Sequence, residues 1–125
     1  MKPIVVVAAI IERDNAFLLT LRPEGTHLAG HWEFPGGKVH DHETHAEALR
    51  REVFEELDAV VVVGDLAHTI THAYPEKTVQ LFFYRCDLLG EPKPMMGQEM
   101  RWIPKGELNA LPFPDADREL ITLLS

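Results

Sequence analysis

Three glutamates in one stretch of the chain have the spacing of a cation-binding site. Glu52, Glu55 and Glu56 stand at positions i, i+3 and i+4, so on a helix they share one face with Cβ atoms roughly 5–6 Å apart. Carboxylate oxygens are hard ligands that suit a divalent cation such as Mg²⁺. Gly36 and Gly37 precede this stretch, and glycine lets the backbone approach a ligand closely. The pattern predicts a metal site on a helix face.

The stretch that contains these glutamates has the start signals of a helix. Thr44 and Glu47 form a capping-box pattern, in which each residue can bond the backbone N–H of the other. The predicted helix ends at Asp58 and Ala59, without the glycine that often ends a helix. Apolar residues at helical spacing predict its buried face, and they are Ala46, Leu49, Val53 and Leu57.

The rest of the chain alternates between strand patterns and turn residues. A continuous β-branched run at residues 4–11 predicts a strand covered on both faces. A C-terminal helix is predicted at 115–124. Other predicted elements are strands at 17–21, 32–34, 60–63, 66–72, 79–88 and 100–103 and a helical turn at 104–108. Together they predict one mixed α/β domain over residues 1–125.

The acidic composition argues against nucleic acid and anionic membranes as partners. The 125 residues have a formal net charge of −8, which makes stable binding to nucleic acid or to an anionic membrane a poor expectation. The apolar run at residues 4–11 is too short to span a bilayer, and a buried strand explains it better than a signal peptide does. The lone Cys86 cannot form an internal disulfide, which is consistent with a reducing compartment.

The glutamate stretch and its surroundings closely resemble the Nudix box. Gly37, five residues, Glu43, seven residues and then REVFEEL at 51–57 reproduce every charged position of that pattern. Where the family continues with glycine and an aliphatic residue, this chain has Asp58 and Ala59.

Two further segments extend the resemblance to MutT-type nucleoside triphosphate diphosphatases. They are HLAGHWEFPGGK at 27–38 and LPFPDAD at 111–117. The resemblance implies an α/β/α sandwich, with a mixed sheet between helices and the box as a loop–helix–loop. It also implies Mg²⁺-dependent hydrolysis, with Mn²⁺ able to substitute, of a (deoxy)nucleoside triphosphate to monophosphate and pyrophosphate. A cytoplasmic monomer or homodimer with a role in DNA repair is expected on the same ground.

The resemblance also implies roles for individual residues. The expected metal ligands are Gly37, Glu52, Glu55, Glu56 and Glu99. Arg51 is expected to fix Glu43 by charge-assisted hydrogen bonds. The general base is left open between Glu52, Glu55 and Glu99.

Six residues are predicted to bind the substrate: Arg22, His27, Phe34, Lys38, Lys77 and Asp117. Asp117 occupies the position that reads the base in MutT-type relatives. An ionised Asp only accepts hydrogen bonds, which suits the amine of cytosine or the amine and ring N–H of a guanine. A pyrimidine nucleotide and a modified purine nucleotide both remain open. Tyr74 is a further candidate for the pocket wall.

Two rival functions have the same box. An RNA 5′-pyrophosphohydrolase would need a basic track for its strand, and a nucleotide-sugar or dinucleotide pyrophosphatase would need a different leaving group. A Nudix module that senses a nucleotide without cleaving it is the rival outside the enzymes. Such a module is expected to have lost box carboxylates, whereas this chain retains them.

Overall fold

The computed structural model describes residues 2–125, which form seven strands, two α-helices and two 3₁₀ turns. The strands β1 to β7 are Ile4–Arg13, Ala16–Leu21, Trp32–Glu33, Gly36–Lys38, Val60–Ala73, Thr78–Leu89 and Met100–Pro104. The helices α1 and α2 are His45–Leu57 and Arg118–Leu124. The 3₁₀ turns are Lys105–Ala110 and Asp115–Asp117.

The strands form one mixed sheet with β1 at its centre. The main order is β3-β2-β1-β6-β5, with β4 added beside β1 and β7 beside β2. The pairing of β1 with β6 is parallel, whereas β1 pairs with β2 and β4 in antiparallel fashion. Both faces of β1 are covered, because Ala8 and Ile10 pack toward α2 while Val7 and Ala9 pack toward α1. The α/β/α sandwich expected from the sequence is confirmed.

Helix α1 begins as the sequence predicts. The N–H of Glu47 donates to the Thr44 hydroxyl at 3.1 Å, and the N–H of Thr44 donates to the Glu47 carboxylate at 2.8 Å. The buried face is Ala48, Leu49, Val53 and Leu57. Ala46 was predicted in this face, but it is only half-buried because its position lies at the edge of the apolar stripe.

Two strand predictions were incomplete. Strand β4 was missed because its Gly36 and Gly37 have no side chains that favour a strand. It pairs with Val6–Ala8 so closely that a Cβ on Gly36 would lie 2.0 Å from the Val7 carbonyl oxygen. The predicted strands 60–63 and 66–72 are a single strand, β5, with irregular register on either side of Leu66.

The C-terminal segment differs from prediction only at its start. Asp115–Asp117 is a 3₁₀ turn, and the α-helix begins after it at Arg118. Leu120, Ile121 and Leu124 are buried, as the spacing predicted. Across residues 2–125, no helix is long and apolar enough to cross a membrane.

The end of α1 gives a physical account of Asp58. Its backbone is left-handed, with φ 51° and ψ 40°, and its N–H donates to the Phe54 carbonyl at 3.0 Å. This is the conformation that a C-terminal glycine commonly adopts, and Asp tolerates it better than most residues do. The helix therefore ends in the usual geometry with an uncommon residue, whose negative charge lies at the unfavourable end of the helix dipole.

Replacing Asp58 by glycine should therefore stabilise the protein. We expect Asp58→Gly to raise the free energy of unfolding by about 1 kcal/mol, because it removes both the left-handed strain and the charge at the helix end. Asp58→Asn removes only the charge and should gain about half as much. Urea unfolding of the three proteins measures both effects. A loss of stability in Asp58→Gly would contradict this account.

Candidate active site

Arg51 connects the loop before α1 to the acidic face of that helix. Its guanidinium bonds both carboxylate oxygens of Glu43, with Nε–Oε2 at 2.7 Å and Nη2–Oε1 at 2.9 Å. It also donates to the Glu52 carboxylate at 2.8 Å, the Glu55 carboxylate at 3.1 Å and the Lys38 carbonyl at 3.0 Å. The expected contact between Arg51 and Glu43 is present, and the bond to the Lys38 carbonyl also connects β4 to α1.

The surroundings of Glu43 favour its ionised form. Hydrogen bonds from Arg51, and then from the His40 N–H, lower the pKa of Glu43 to about 2. The His40 N–H donates to Oε1 at 2.8 Å. The same contacts with Glu43 raise the pKa of Arg51. The pair is therefore charged over the whole range in which proteins normally work.

Glu56 lies in the opposite electrostatic environment. Burial, followed by the negative charges of Glu52 and Glu33, raises the pKa of Glu56 to about 8. Its Oε2 atom is buried and has no hydrogen-bond partner among the described residues. Buried carboxylate oxygens are normally paired, so this atom indicates a ligand such as a cation.

The backbone at Gly37 completes this part of the site. A Cβ added there would lie 2.4 Å from the carboxylate carbon of Glu52. Any other residue would therefore displace Glu52, whereas glycine leaves its carboxylate against the β4 backbone. The buried free oxygen of Glu56, the adjacent Glu52 carboxylate and the close backbone fit a divalent cation, which prefers oxygen ligands.

The five expected metal ligands are not all gathered around one point. Over residues 2–125, no group of three or more His, Cys, Asp or Glu side chains is arranged to hold a metal ion. Glu55 is exposed and bonded to Arg51. Glu99 is also exposed, and its carboxylate pairs with Arg101 because the two side chains project from the same strand end. The structure therefore groups Glu52, Glu56 and Gly37 and leaves Glu99 apart.

A cavity of about 390 Å³ opens beside the Gly36–Lys38 strand. All six residues predicted to bind substrate line it, and so does Tyr74. Its apolar wall comes from β1 and β6, through Ile4, Val6, Val79, Leu81 and Phe83. The cavity therefore combines cationic side chains with an apolar wall, as small-molecule binding sites do.

Glu33 is a cavity residue that the sequence analysis missed. Its carboxylate accepts a hydrogen bond from Arg22 at 3.0 Å, and Arg22 also donates to the His27 carbonyl at 2.7 Å. Burial raises the pKa of Glu33, and Arg22 opposes this shift. The available signal was a carboxylate between two aromatic residues, Trp32 and Phe34, both of which are buried in the core.

Asp117 also lines the cavity. It is 7% exposed, and burial, followed by the charge of Glu33, raises the pKa of Asp117 to about 7. Near neutral pH its carboxyl is thus present in both forms, and the protonated form can donate a hydrogen bond. The sequence pointed mainly to the ionised form, which accepts, because burial cannot be read from the position of Asp117 before the last helix.

Aromatic rings surround the mouth of the cavity. Tyr74 lies edge-on to His72 and to His27, with ring centroids 4.5 Å and 5.6 Å apart. The Lys77 ammonium lies 5.8 Å from the centre of the Tyr74 ring. These contacts join the turn between β5 and β6 to the loop that contains Arg22, so two separate loops form one cavity wall.

Residues 6–123 match the model of the NUDIX domain family. The chain belongs to the Nudix family. An 8-oxo-dGTP diphosphatase of Haemophilus influenzae is 41% identical over 96% of this chain and 90% of its own. A CTP pyrophosphohydrolase of Escherichia coli is 37% identical over 97% of this chain and 90% of its own. The crystal structure of a MutT NUDIX hydrolase from Burkholderia pseudomallei aligns over the full length of both chains, with a TM-score of 0.89 and 27% identity.

These similarities place the protein among the Nudix hydrolases, and it is an enzyme. The rival of a non-catalytic sensing module is therefore set aside. Nudix hydrolases use a divalent metal ion, which agrees with the free oxygen of Glu56 and the carboxylate of Glu52 beside Gly37. The roles of the individual box residues in this Nudix hydrolase stay predictions.

The pair of Glu43 and Arg51 should make stability depend on acid pH. The pKa of Glu43 is about 2 in the folded protein and 4.5 as its ordinary value. Its stabilisation is therefore fully present above pH 4.5 and is lost as the pH falls toward 2. We expect Glu43→Gln to be less stable than the native protein near neutral pH, with a difference that shrinks as acid is added.

Urea unfolding of both proteins at several pH values between about 6 and 3 measures this difference. Glu24→Gln is the control, because Glu24 is an exposed glutamate of the Arg22 loop. A stability difference for Glu43→Gln that stays constant with pH would contradict the assignment.

Proposed function

We propose that this enzyme hydrolyses a nucleoside triphosphate to the monophosphate and pyrophosphate in a reaction that requires Mg²⁺, with Mn²⁺ able to substitute. One observation supports this above the others. One cavity of about 390 Å³ is lined by Gly37, against which the Glu52 carboxylate packs, by the cations Arg22 and Lys38, and by the buried Asp117. It therefore offers groups for the phosphates and for the base of one nucleotide.

The charge of the phosphates is the main barrier to the reaction. A bound divalent cation neutralises phosphate charge and lowers the pKa of a coordinated water. Glu52, Glu56 and the backbone at Gly37 would hold it, since they form the oxygen-rich surface beside the cavity. Arg22 and Lys38 would bind phosphate oxygens, and the pairing of Arg22 with Glu33 keeps that guanidinium in the cavity wall.

Arg51 acts on the geometry of the site, because its bonds to Glu43 and Glu52 are made within the protein. It holds the Glu52 carboxylate toward Gly37 and balances part of the negative charge of the helix face. The proton of the attacking water passes to a carboxylate, and Glu52, Glu55 and Glu99 stay the candidates. Gln substitutions at the three positions, compared by their pH–rate profiles, distinguish them.

The carboxyl of Asp117 favours a substrate whose base offers hydrogen-bond donors. The relatives are named for 8-oxo-dGTP and for CTP, and a guanine and a cytosine both have an exocyclic amine. Ionised Asp117 accepts from such an amine, and its protonated form can also donate to a carbonyl oxygen. We propose an oxidised purine or a cytosine nucleotide as the substrate, and removal of damaged nucleotides as a role in DNA repair. A cytoplasmic location and a monomer or homodimer stay predictions.

An RNA 5′-pyrophosphohydrolase is the second candidate, because its chemistry at the phosphates is the same. The net charge of −8 opposes a long basic track. The cationic side chains near the proposed site are those that line the cavity itself. A panel of nucleoside triphosphates, nucleotide sugars, dinucleoside polyphosphates and 5′-triphosphate RNA, assayed with Mg²⁺, tests the choice. Release of pyrophosphate from a single nucleotide class supports the proposal, whereas a preference for RNA rejects it.

The central catalytic prediction concerns Glu56. Glu56→Gln keeps the size of the side chain but removes a charged oxygen ligand, so we expect kcat to fall by about 100-fold or more. Chelation with EDTA should abolish activity, and added Mg²⁺ should restore it. The matched control is Glu47→Gln on the same helix, because Glu47 bonds the Thr44 backbone and lies away from the cavity. Full activity of Glu56→Gln would reject the metal assignment.

Asp117→Asn should change base preference and leave metal dependence intact. An amide cannot ionise, so the ratio of kcat/KM for two bases should lose its pH dependence near the pKa of Asp117, about 7. The native ratio should vary between about pH 6 and pH 8. Asp115→Asn is the control, since Asp115 is exposed in the same 3₁₀ turn. Equal base preferences in native protein and Asp117→Asn would reject the role of Asp117.

A further inference from the structure

The loop between β6 and β7 is bonded to the end of the catalytic helix. The N–H of Lys93 donates to the Leu57 carbonyl at 2.7 Å, and the N–H of Met95 donates to the Glu56 carbonyl at 2.9 Å. The last carbonyls of a helix have no partner within it, so the loop supplies the missing donors. The loop thus depends on the position of the same residue whose carboxylate faces the cation site.

Gln98 adds a side-chain contact to this connection. Its Nε2 donates to the Glu56 carbonyl at 3.1 Å, and its Oε1 accepts from the Met96 N–H at 2.8 Å. The amide therefore links the helix end and the loop at once, and it is half-buried between them. A structural role in capping the helix would need only one donor, and the Met95 N–H already supplies it.

Glu99 follows Gln98 directly and is anchored on its other side. Its carbonyl accepts from the Leu21 N–H at 2.9 Å, at the point where β7 begins to pair with β2. The backbone of Glu99 is therefore held between the end of α1 and the edge of β2. Its carboxylate is exposed and, among the described residues, pairs with Arg101, so the contacts that hold Glu99 to the two elements are made by its backbone and by Gln98.

We propose that Gln98 is a positioning residue, which sets the Glu99 backbone relative to Glu56 so that carboxylates from two separate elements can bind one divalent cation. This inference rests on the proposed function, because it needs Glu56 to hold the cation, and it adds Glu99 to the ligands proposed there. Coordination tolerates errors of only a few tenths of an ångström in ligand distance. A bond from Gln98 to the Glu56 backbone is short enough to impose that accuracy across the loop.

Cation binding without a nucleotide is the direct test. The probe is Mn²⁺, and the loss of its free signal in electron paramagnetic resonance gives the Kd for the nucleotide-free protein. Gln98→Met keeps the length of the side chain but removes both hydrogen bonds. We expect it to raise the Kd for Mn²⁺ by about tenfold, as loss of a residue that orients metal ligands does. Gln80→Met on β6 is the matched control and should leave the Kd unchanged.

A double-mutant cycle shows whether Gln98 acts through Glu99. If it does, Gln98→Met combined with Glu99→Gln should bind Mn²⁺ no more weakly than Glu99→Gln alone, because the ligand that Gln98 positions is already lost. A full additional tenfold loss in the double variant would overturn the proposal, and so would an unchanged Kd in Gln98→Met. Steady-state assays at saturating Mg²⁺ should show a lower kcat with an unchanged KM for the nucleotide.

The outcomes separate this proposal from the proposed function. An unchanged Mn²⁺ Kd in Glu56→Gln rejects the metal site itself and the role of Gln98 with it. A weaker Kd in Glu56→Gln, combined with an unchanged Kd in Glu99→Gln, rejects only the role of Gln98. Urea unfolding is measured for each variant, and Gln98→Ala replaces Gln98→Met if the latter fails to fold.

Discussion

The site depends on the guanidinium of Arg51. It makes five hydrogen bonds to four residues, which come from the β4 strand, the loop after it and the face of α1. A lysine has a single charged centre and cannot bond a carboxylate in the planar bidentate manner that Glu43 shows. Without this side chain, three carboxylates on neighbouring elements would repel one another in the absence of a cation. Arg51 therefore offsets the repulsion among these carboxylates.

Three other carboxyls at or near the cavity are buried, which favours their neutral forms. Burial raises the pKa values of Glu33, Glu56 and Asp117, and the charge of Glu33 contributes to the shifts of the other two. The charge of Glu33 thus acts on both Glu56, which faces the cation site, and Asp117, which is proposed to contact the base. A buried carboxylate is costly in the ionised form, and a divalent cation offsets this cost at Glu56.

The sequence predicts the parts of this enzyme that depend on spacing. Helical periodicity and the capping box determine α1, and the contact of Arg51 with Glu43 follows from their places in the box. Strand β4 was missed, because its two glycines favour no regular structure and it forms only by pairing with β1. The raised pKa of Asp117 could not be predicted from the sequence, because it depends on burial and on Glu33, which is distant in sequence. Local rules identify residues, whereas tertiary contacts set their chemical state.

Glu99 shows how these two levels combine. Its position after the loop between β6 and β7 gives no geometric constraint in sequence, and its carboxylate pairs with Arg101. The constraint comes from the neighbouring contacts. The carbonyl of Glu99 accepts a hydrogen bond from β2, and the side-chain amide of Gln98, the residue before it, donates to the end of α1. A fixed backbone with an exposed side chain suits a ligand that exchanges Arg101 for a cation when the cation binds. The catalytic arrangement is thus completed by binding, on a backbone that is already in place.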